Sequence, residues 1–439
     1  MNIYIDTLGC PKNVVDSENM AGLLEKSGHL ITDDLMEAQA IIVNTCGFID
    51  DAKEESIDRI FELAKYKENG AILIVTGCLS ERYKHELFKE MPEADIFLGV
   101  NDYHKLPDII NEYSRGSRET HFGSCDKLYT EIESKKSMGK SYSSYLKIAE
   151  GCDNICAYCI IPQIRGSYRS RKEENIIKEA KSLASNGCKE LILVAQDVTA
   201  YGIDLYGEYR LASLLEKLCE IEGLHWIRLM YCYEDRITEK LIEVIKSNEK
   251  ICKYIDIPIQ HISDKILLSM NRRSTKESIK KTIKKLRENI PEIHIRTTLI
   301  TGFPGETDDD FEELMNFIEE TRFERLGVFA YSKEEGTAAA SMKNQVSEQV
   351  KIERKDAIMS LQCNISLENN MKHIGKTIEV LVEEIEADSY IGRTEYDSPE
   401  IDNSVIFTSD EQLKPGDFVF VKISDAFDYD LVGYHVKRG

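Results

Sequence analysis

Short apolar, β-rich stretches alternate with amphipathic helical stretches in two separate blocks of this chain. That alternation confines most of it to parallel α/β architecture. In the first block, strand-sized runs at 2–6, 41–45, 72–76 and 95–99 are separated by helical patterns around 14–26, 51–65, 81–89 and 102–113. Strands that alternate with helices pair in parallel, which predicts a sheet with helices on its faces. Residues 114–143 are polar, contain Gly and Ser and are poor in aliphatics, so they read as a linker. From 145 the alternation resumes, with strands expected at 145–149, 191–195, 226–230, 254–258, 294–299 and 327–331. Helical patterns at 172–185, 211–221, 238–246, 275–288 and 308–321 follow most of them. Six β/α units fall two short of a closed eight-unit barrel, so a partial, open barrel is expected.

A long helical stretch at 347–372 closes this block, and the texture then changes to short strands separated by turns. Strands expected at 377–382, 390–394, 404–408, 418–423 and 431–436 suit a small antiparallel barrel of the OB kind. The expected division is therefore an N-terminal α/β sheet domain at 1–115, a linker at 116–143, a partial (β/α)6 barrel at 144–373 and a small β-barrel at 374–439. A length of 439 residues fits three such units.

Composition excludes several classes. An apolar content of 42% with 31% charged residues is that of a globular protein, not of a disordered or collagenous chain. No apolar run approaches the roughly 18 residues of a membrane helix, and the opening MNIYIDTLGC lacks the basic flank and apolar core of a signal peptide. A soluble cytoplasmic protein, without a membrane partner, is expected. The net charge of −22 is uneven: residues 1–137 carry −11, residues 138–374 carry −2 and residues 375–439 carry −9. A generic nucleic-acid binder would show a basic stripe instead.

Twelve cysteines without an export signal point to reduced thiols, some of them ligands. Cys152, Cys156 and Cys159 form a C-x3-C-x2-C loop directly after the first strand of the second block. Three thiolates on one tight loop can hold three corners of a [4Fe–4S] cluster and leave the fourth iron open. Zinc is the alternative, but a closed zinc site wants a fourth Cys or His, and no His lies between 122 and 224. Cys10, Cys46 and Cys78 are far apart in sequence, yet each follows an expected strand through a short turn beside a glycine. In a parallel sheet those turns share one edge, the edge that ligands prefer, so the three thiols are expected to meet and hold a second cluster. Cys125, Cys188, Cys219, Cys232, Cys252 and Cys363 share no pattern and read as small buried hydrophobes or incidental thiols.

The C-x3-C-x2-C loop, with Tyr158 before its last cysteine, resembles the signature of radical S-adenosylmethionine (SAM) enzymes. The three-part chain as a whole resembles the methylthiotransferases of that superfamily, with their N-terminal cluster domain and C-terminal TRAM domain. The opening Gly9-Cys10-Pro11-Lys12-Asn13 with Asp16-Ser17-Glu18 is similar to the branch that modifies ribosomal proteins. The transfer-RNA branches usually read Gly-Cys-Gln-Met-Asn or Gly-Cys-Lys-x-Asn there. The resemblance implies SAM chelated at the open iron of the Cys152–Cys156–Cys159 cluster, with Tyr158, Gln196, Asp197, Gly302 and Gly305 among the cofactor contacts. It implies two SAM molecules per turnover. One methylates sulfur held at the Cys10–Cys46–Cys78 cluster, and the other yields the 5′-deoxyadenosyl radical that removes a hydrogen from substrate. For this branch the implied substrate is the β-carbon of an aspartate in a small-subunit ribosomal protein, with an electron donor and a sulfur source as further partners and a monomeric enzyme.

Radical chemistry suits such a target, because an aliphatic C–H has no acidity for a base to exploit. Two rival readings are a transfer-RNA methylthiotransferase of the same architecture and a non-catalytic two-cluster protein. An RNA-binding terminal barrel should be basic with stacking aromatics, and this one is acidic. Acid on that surface would steer a basic ribosomal protein in and repel nucleic acid.

Overall fold

Six strands build the first sheet: β1 (Asn2–Thr7), β2 (Leu30–Ile31), β3 (Ala40–Thr45), β4 (Ile72–Gly77), β5 (Ile96–Leu98) and β6 (Glu119–His121). They pair in the order β2-β1-β3-β4-β5-β6, all parallel. The computed structural model describes residues 1–114, 116–123, 131 and 135–437. β3 and β4 are buried along their whole length, as central strands covered on both faces must be. Helix α1 (Pro11–Lys26) packs Met20 and Leu24 on one face of the sheet. On the other face α2 (Asp50–Ala64) and α3 (Cys78–Glu90) contribute Ile60, Leu63, Leu79 and Leu87. β6 lies inside the stretch read as linker, so the N-terminal sheet gains an edge strand from it. Its sequence Glu-Thr-His is polar, and only pairing with β5 makes it a strand.

The second block opens with β7 (Ser143–Lys147), followed by the short antiparallel pair β8 (Ala149–Glu150) and β9 (Arg169–Ser170). β10 (Glu190–Val194), β11 (Trp226–Leu229), β12 (Ile251–Asp256), β13 (His294–Thr301) and β14 (Arg325–Ala330) complete it. These pair in parallel as β14-β13-β12-β11-β10-β7, an open six-stranded sheet. Helices coat its outer face over one large apolar core. The inner face, which a closed barrel would fill by itself, is completed by its neighbours. Ile192, Val194, Trp226, Met230 and Tyr254 pack with Val15 of α1 and Leu381 of the C-terminal domain.

After the 24-residue helix Glu348–Met371, five strands close into a barrel. These are β15 (Thr377–Glu386), β16 (Ser389–Arg393), β17 (Ser404–Thr408), β18 (Phe418–Ala426) and β19 (Asp430–Val436). Four pairings are antiparallel, as expected of a small barrel of the OB kind, and the fifth, β17 with β19, is parallel and closes the five strands.

The segment between β16 and β17 reaches into the amino end of the open barrel and forms buried ion pairs there. Arg393 joins Arg228 on the fully buried Glu190, Asp397 takes Arg325, and Asp402 accepts from Tyr254 and pairs with Arg296. Among the described residues, no helix is long and apolar enough to cross a membrane.

Candidate active site

The carboxyl ends of the strands in both sheets face a shared interface, and both cysteine triads lie there. Cys10 ends the turn after β1 at the start of α1, Cys46 follows β3, and Cys78 follows β4 and opens α3. The three loops are in contact. A side chain on Gly9 would bring its Cβ to 2.8 Å from Cys46 Cβ and 3.0 Å from Cys46 Sγ, so that turn, with φ near +90°, requires glycine. Asn13 stitches the group together: its Nδ2 donates to Leu8 O and Thr45 O, and its Oδ1 lies 3.9 Å from Cys78 Sγ. Asn44 Nδ2 returns a bond to Asn13 O, and Ser56 bonds both backbone groups of Cys46.

Cys152, Cys156 and Cys159 occupy the loop after β8. The loop is anchored by Cys152 N to Gly166 O, Ala157 N to Met270 O and Cys159 N to Cys156 O. Asp153 accepts from the backbone N–H of Tyr168, and Asn154 is clamped between Asp197 and Arg236. Cys156 Sγ lies 3.8 Å from the hydroxyl of Tyr233, whose ring lies under the Arg272 guanidinium. Tyr158 packs against a small apolar cluster with Phe303, Met270 and Tyr331.

All six thiols are free, and four of them are buried. Burial pushes the Cys46 thiol up to about 11 and raises Cys78, Cys152 and Cys159 as well. Cys10 goes the other way: burial would raise it, but Lys12 and Arg165 outweigh that and lower it. Among the described residues no three His, Cys, Asp or Glu side chains converge as a single metal ion requires. A cubane offers its irons at separate corners, so three thiols on one cluster need not converge on a point.

The residue that ties Cys78 to Glu150, two residues before the cysteine loop, was not legible beforehand. Arg165, 2% exposed, donates through Nη2 to Cys78 Sγ at 3.3 Å and to Asn13 Oδ1 at 2.7 Å. Through Nη1 it reaches Asp16 at 2.7 Å and Glu150 at 3.1 Å. Lys147 pairs with the same two carboxylates, and Gln196 Nε2 donates to Glu150 Oε1 at 2.6 Å. Burial would raise the Glu150 carboxyl, but Lys147 and Arg165 hold it well below the usual range. A guanidinium aimed at a buried thiol suits an anionic ligand, so this donor set fits an iron–sulfur cluster.

The expected cofactor contacts divide. Gln196 keeps a buried Oε1 with no hydrogen-bond partner among the described residues, which fits a donor from a bound molecule. Asp197 is fully engaged within the protein, accepting from Thr199, Ala200 N and Asn154 and pairing with Arg236. Its geometry is that of a residue that positions the cysteine loop. Gly302 approaches the protein itself: a Cβ there would lie 2.2 Å from Lys351 Cγ. Gly305 would meet nothing within 4 Å. His261 is buried as a neighbour of its strand end, accepting from Ser263 N with Nε2 3.6 Å from Glu306. Of the unpatterned cysteines, Cys188, Cys232 and Cys252 are buried, Cys219 and Cys363 are half-buried, and Cys125 lies outside the described residues.

An open parallel six-stranded barrel with a three-cysteine loop at its strand ends defines a radical SAM enzyme. The Radical SAM superfamily model matches residues 146–318, the TRAM domain model residues 374–436, and the model described as uncharacterized protein family UPF0004 residues 2–99. The chain is 53% identical over 438 residues to the ribosomal protein uS12 methylthiotransferase RimO of Desulforamulus reducens, covering 98% of this chain and 99% of that one. It is 51% identical to the protein of the same name from Clostridioides difficile, covering 99% and 98%. The chain belongs to the RimO family of radical SAM methylthiotransferases. Among solved structures, the radical SAM methyltransferase TsrM of Kitasatospora setae shares the fold with a TM-score of 0.54 at 14% identity, over 75% of this chain and 71% of that one.

Proposed function

We propose that this enzyme adds a methylthio group to the β-carbon of an aspartate in ribosomal protein uS12, using two [4Fe–4S] clusters and two SAM molecules per turnover. The observation that carries the reading is the pair of cysteine triads at one interface, where Arg165 ties Cys78 to Glu150 just before the cysteine loop, in a chain that is end-to-end similar to proteins named for that activity. Cys152, Cys156 and Cys159 would hold the cluster that cleaves SAM, and Cys10, Cys46 and Cys78 the one that carries sulfur. When bound, these groups supply a single electron for radical formation and a site for the transferred sulfur.

The protein's own residues supply position and shelter. Gln196 Oε1 is the acceptor proposed for the SAM amino group, with Tyr158, Gly302 and Gly305 bordering the site. Glu150, fixed as an anion by Lys147 and Arg165, orients Gln196 through its amide. Burial of the thiols excludes water from the ligands. The functional units proposed are 1–115, 144–373 and 374–439. Partners are basic uS12, a low-potential electron donor and a sulfur source, and the enzyme acts as a cytoplasmic monomer.

The test is reconstituted enzyme with SAM and reductant, offered uS12 and transfer RNA separately. Methylthio mass on a uS12 aspartate is expected. Its appearance on RNA alone would overturn the substrate, and absence of 5′-deoxyadenosine would overturn the enzyme.

A further inference from the structure

Lys12 is a buried cation with no carboxylate in a salt bridge to it, although its charge also favours the Cys10 thiolate two residues away. The residue is only 8% exposed, and its Nζ lies 3.6 Å from the centroid of the Tyr231 ring. Among the described residues no carboxylate pairs with it and no acceptor takes a hydrogen bond from it. The acids nearby have other partners: Asp16 and Glu150 hold Lys147 and Arg165, and Asp256 holds Arg296. A desolvated cation–π contact does not replace the hydration of an ammonium ion, so such a group calls for an anion delivered from outside the fold.

Where Lys12 stands narrows the choice of anion. It lies two residues past Cys10, at the start of α1, and meets Tyr231 just beyond the carboxyl end of β11. It therefore spans the seam between the auxiliary triad and the barrel. Tyr231 is rigidly held there, with φ at +58° and its N–H donated to Asp256 Oδ2 at 3.0 Å. Substrate must enter this seam to meet both centres. The guanidinium of Arg165 already serves the thiol side of the auxiliary triad through Cys78. An aspartate bears its carboxylate one bond from the β-carbon, so a cation that fixes the carboxylate also fixes the carbon that reacts.

We propose that Lys12 binds the side-chain carboxylate of the substrate aspartate and sets the preference for an acidic residue at that position. The inference rests on the uS12 reading above and names the group that enforces it. The test uses the full-length, cluster-loaded enzyme and two forms of uS12, wild type and a variant with asparagine at the aspartate located by mass spectrometry. Binding affinity is measured for each, with iron and sulfide per chain as a second readout. Wild-type enzyme is expected to prefer the aspartate form by about ten- to a hundredfold, the range of a charge-assisted contact in a partly desolvated site. Lys12→Met should lose that preference by weakening the aspartate form alone while keeping its iron, and Lys12→Arg should restore part of it. If Lys12→Met still discriminates, or if it loses iron instead, the lysine assignment is overturned. If wild-type enzyme binds neither form, the substrate reading itself falls and takes this proposal with it.

Discussion

The two cysteine triads reach one interface by opposite routes. Cys152, Cys156 and Cys159 come from eight consecutive residues, held by backbone bonds within and around one loop. Cys10, Cys46 and Cys78 come from three crossovers of a parallel sheet and meet only if β1, β3 and β4 are in register. Their surroundings differ too. The loop triad has the Tyr233 hydroxyl beside Cys156, whereas the sheet triad has Arg165 on Cys78 and the charge of Lys12 near Cys10. A site that a loop can build depends on local sequence. A site that topology builds inherits the stability of the whole domain and of the interface behind it.

The largest expected effect separates the two triads by chemistry. Cys156→Ala should reduce 5′-deoxyadenosine to background, while Cys46→Ala retains that product and stops methylthio transfer, read by chromatography and by mass spectrometry of uS12. Loss of 5′-deoxyadenosine in both variants would break the division of labour.

Arg165→Met should strike the sheet triad through its support. Removing one partner from a buried ionic group typically costs about 3–5 kcal/mol, so the urea midpoint of the apo-protein should fall. The cluster proposed on Cys78 should also shift its reduction potential more than the one proposed on the loop, which Arg165 reaches only through Glu150. Equal shifts in both potentials would erase the contrast.

Glu190 provides a control far from either triad. Burial would raise its carboxyl, but Arg393 and Arg228 hold it down to about 2. Its contribution is thus present above the unfolded carboxyl value of about 4.3 and is lost as pH falls through the folded one, amounting to about 3 kcal/mol at neutral pH. Glu190→Gln should lower stability at pH 7 by that order and flatten the acid limb of a pH–stability profile, with iron content unaltered.

The smallest effect concerns recruitment. Glu384, Asp410, Asp425 and Asp428 are exposed on the terminal barrel. Neutralising all four should weaken uS12 binding by about three- to tenfold at low salt and reduce its salt dependence. No change in either would remove the steering role.

The thiols were legible from sequence because like residues recur in like slots, three times after strands and three times on one loop. Arg165, Lys147 and Glu150 were not, since a single charge carries no period, and the side-chain partners of Arg165 lie 15 to 152 residues away. Asp197 and Gly302 stand at the strand ends where cofactor contacts are expected, and within the protein one caps and clamps while the other clears Lys351. β6 escaped because a polar edge strand has no apolar alternation to betray it. The acidity of the last domain was read as surface, yet Asp397 and Asp402 belong to buried pairs. Composition counts charges without saying which ones the neighbouring arginines remove from water.

The plug between β16 and β17 makes the terminal domain something other than an accessory that can be traded between relatives. A transplanted barrel would have to bring matching charges for Glu190, Arg325 and Arg296, or leave them stranded in a dry cavity. Substrate range in such an architecture can therefore drift by altering the outer surface of that barrel, but exchange of the whole module requires coordinated change in the catalytic floor. Chimeras cut at residue 374 should fail for that reason before their specificity can be asked about.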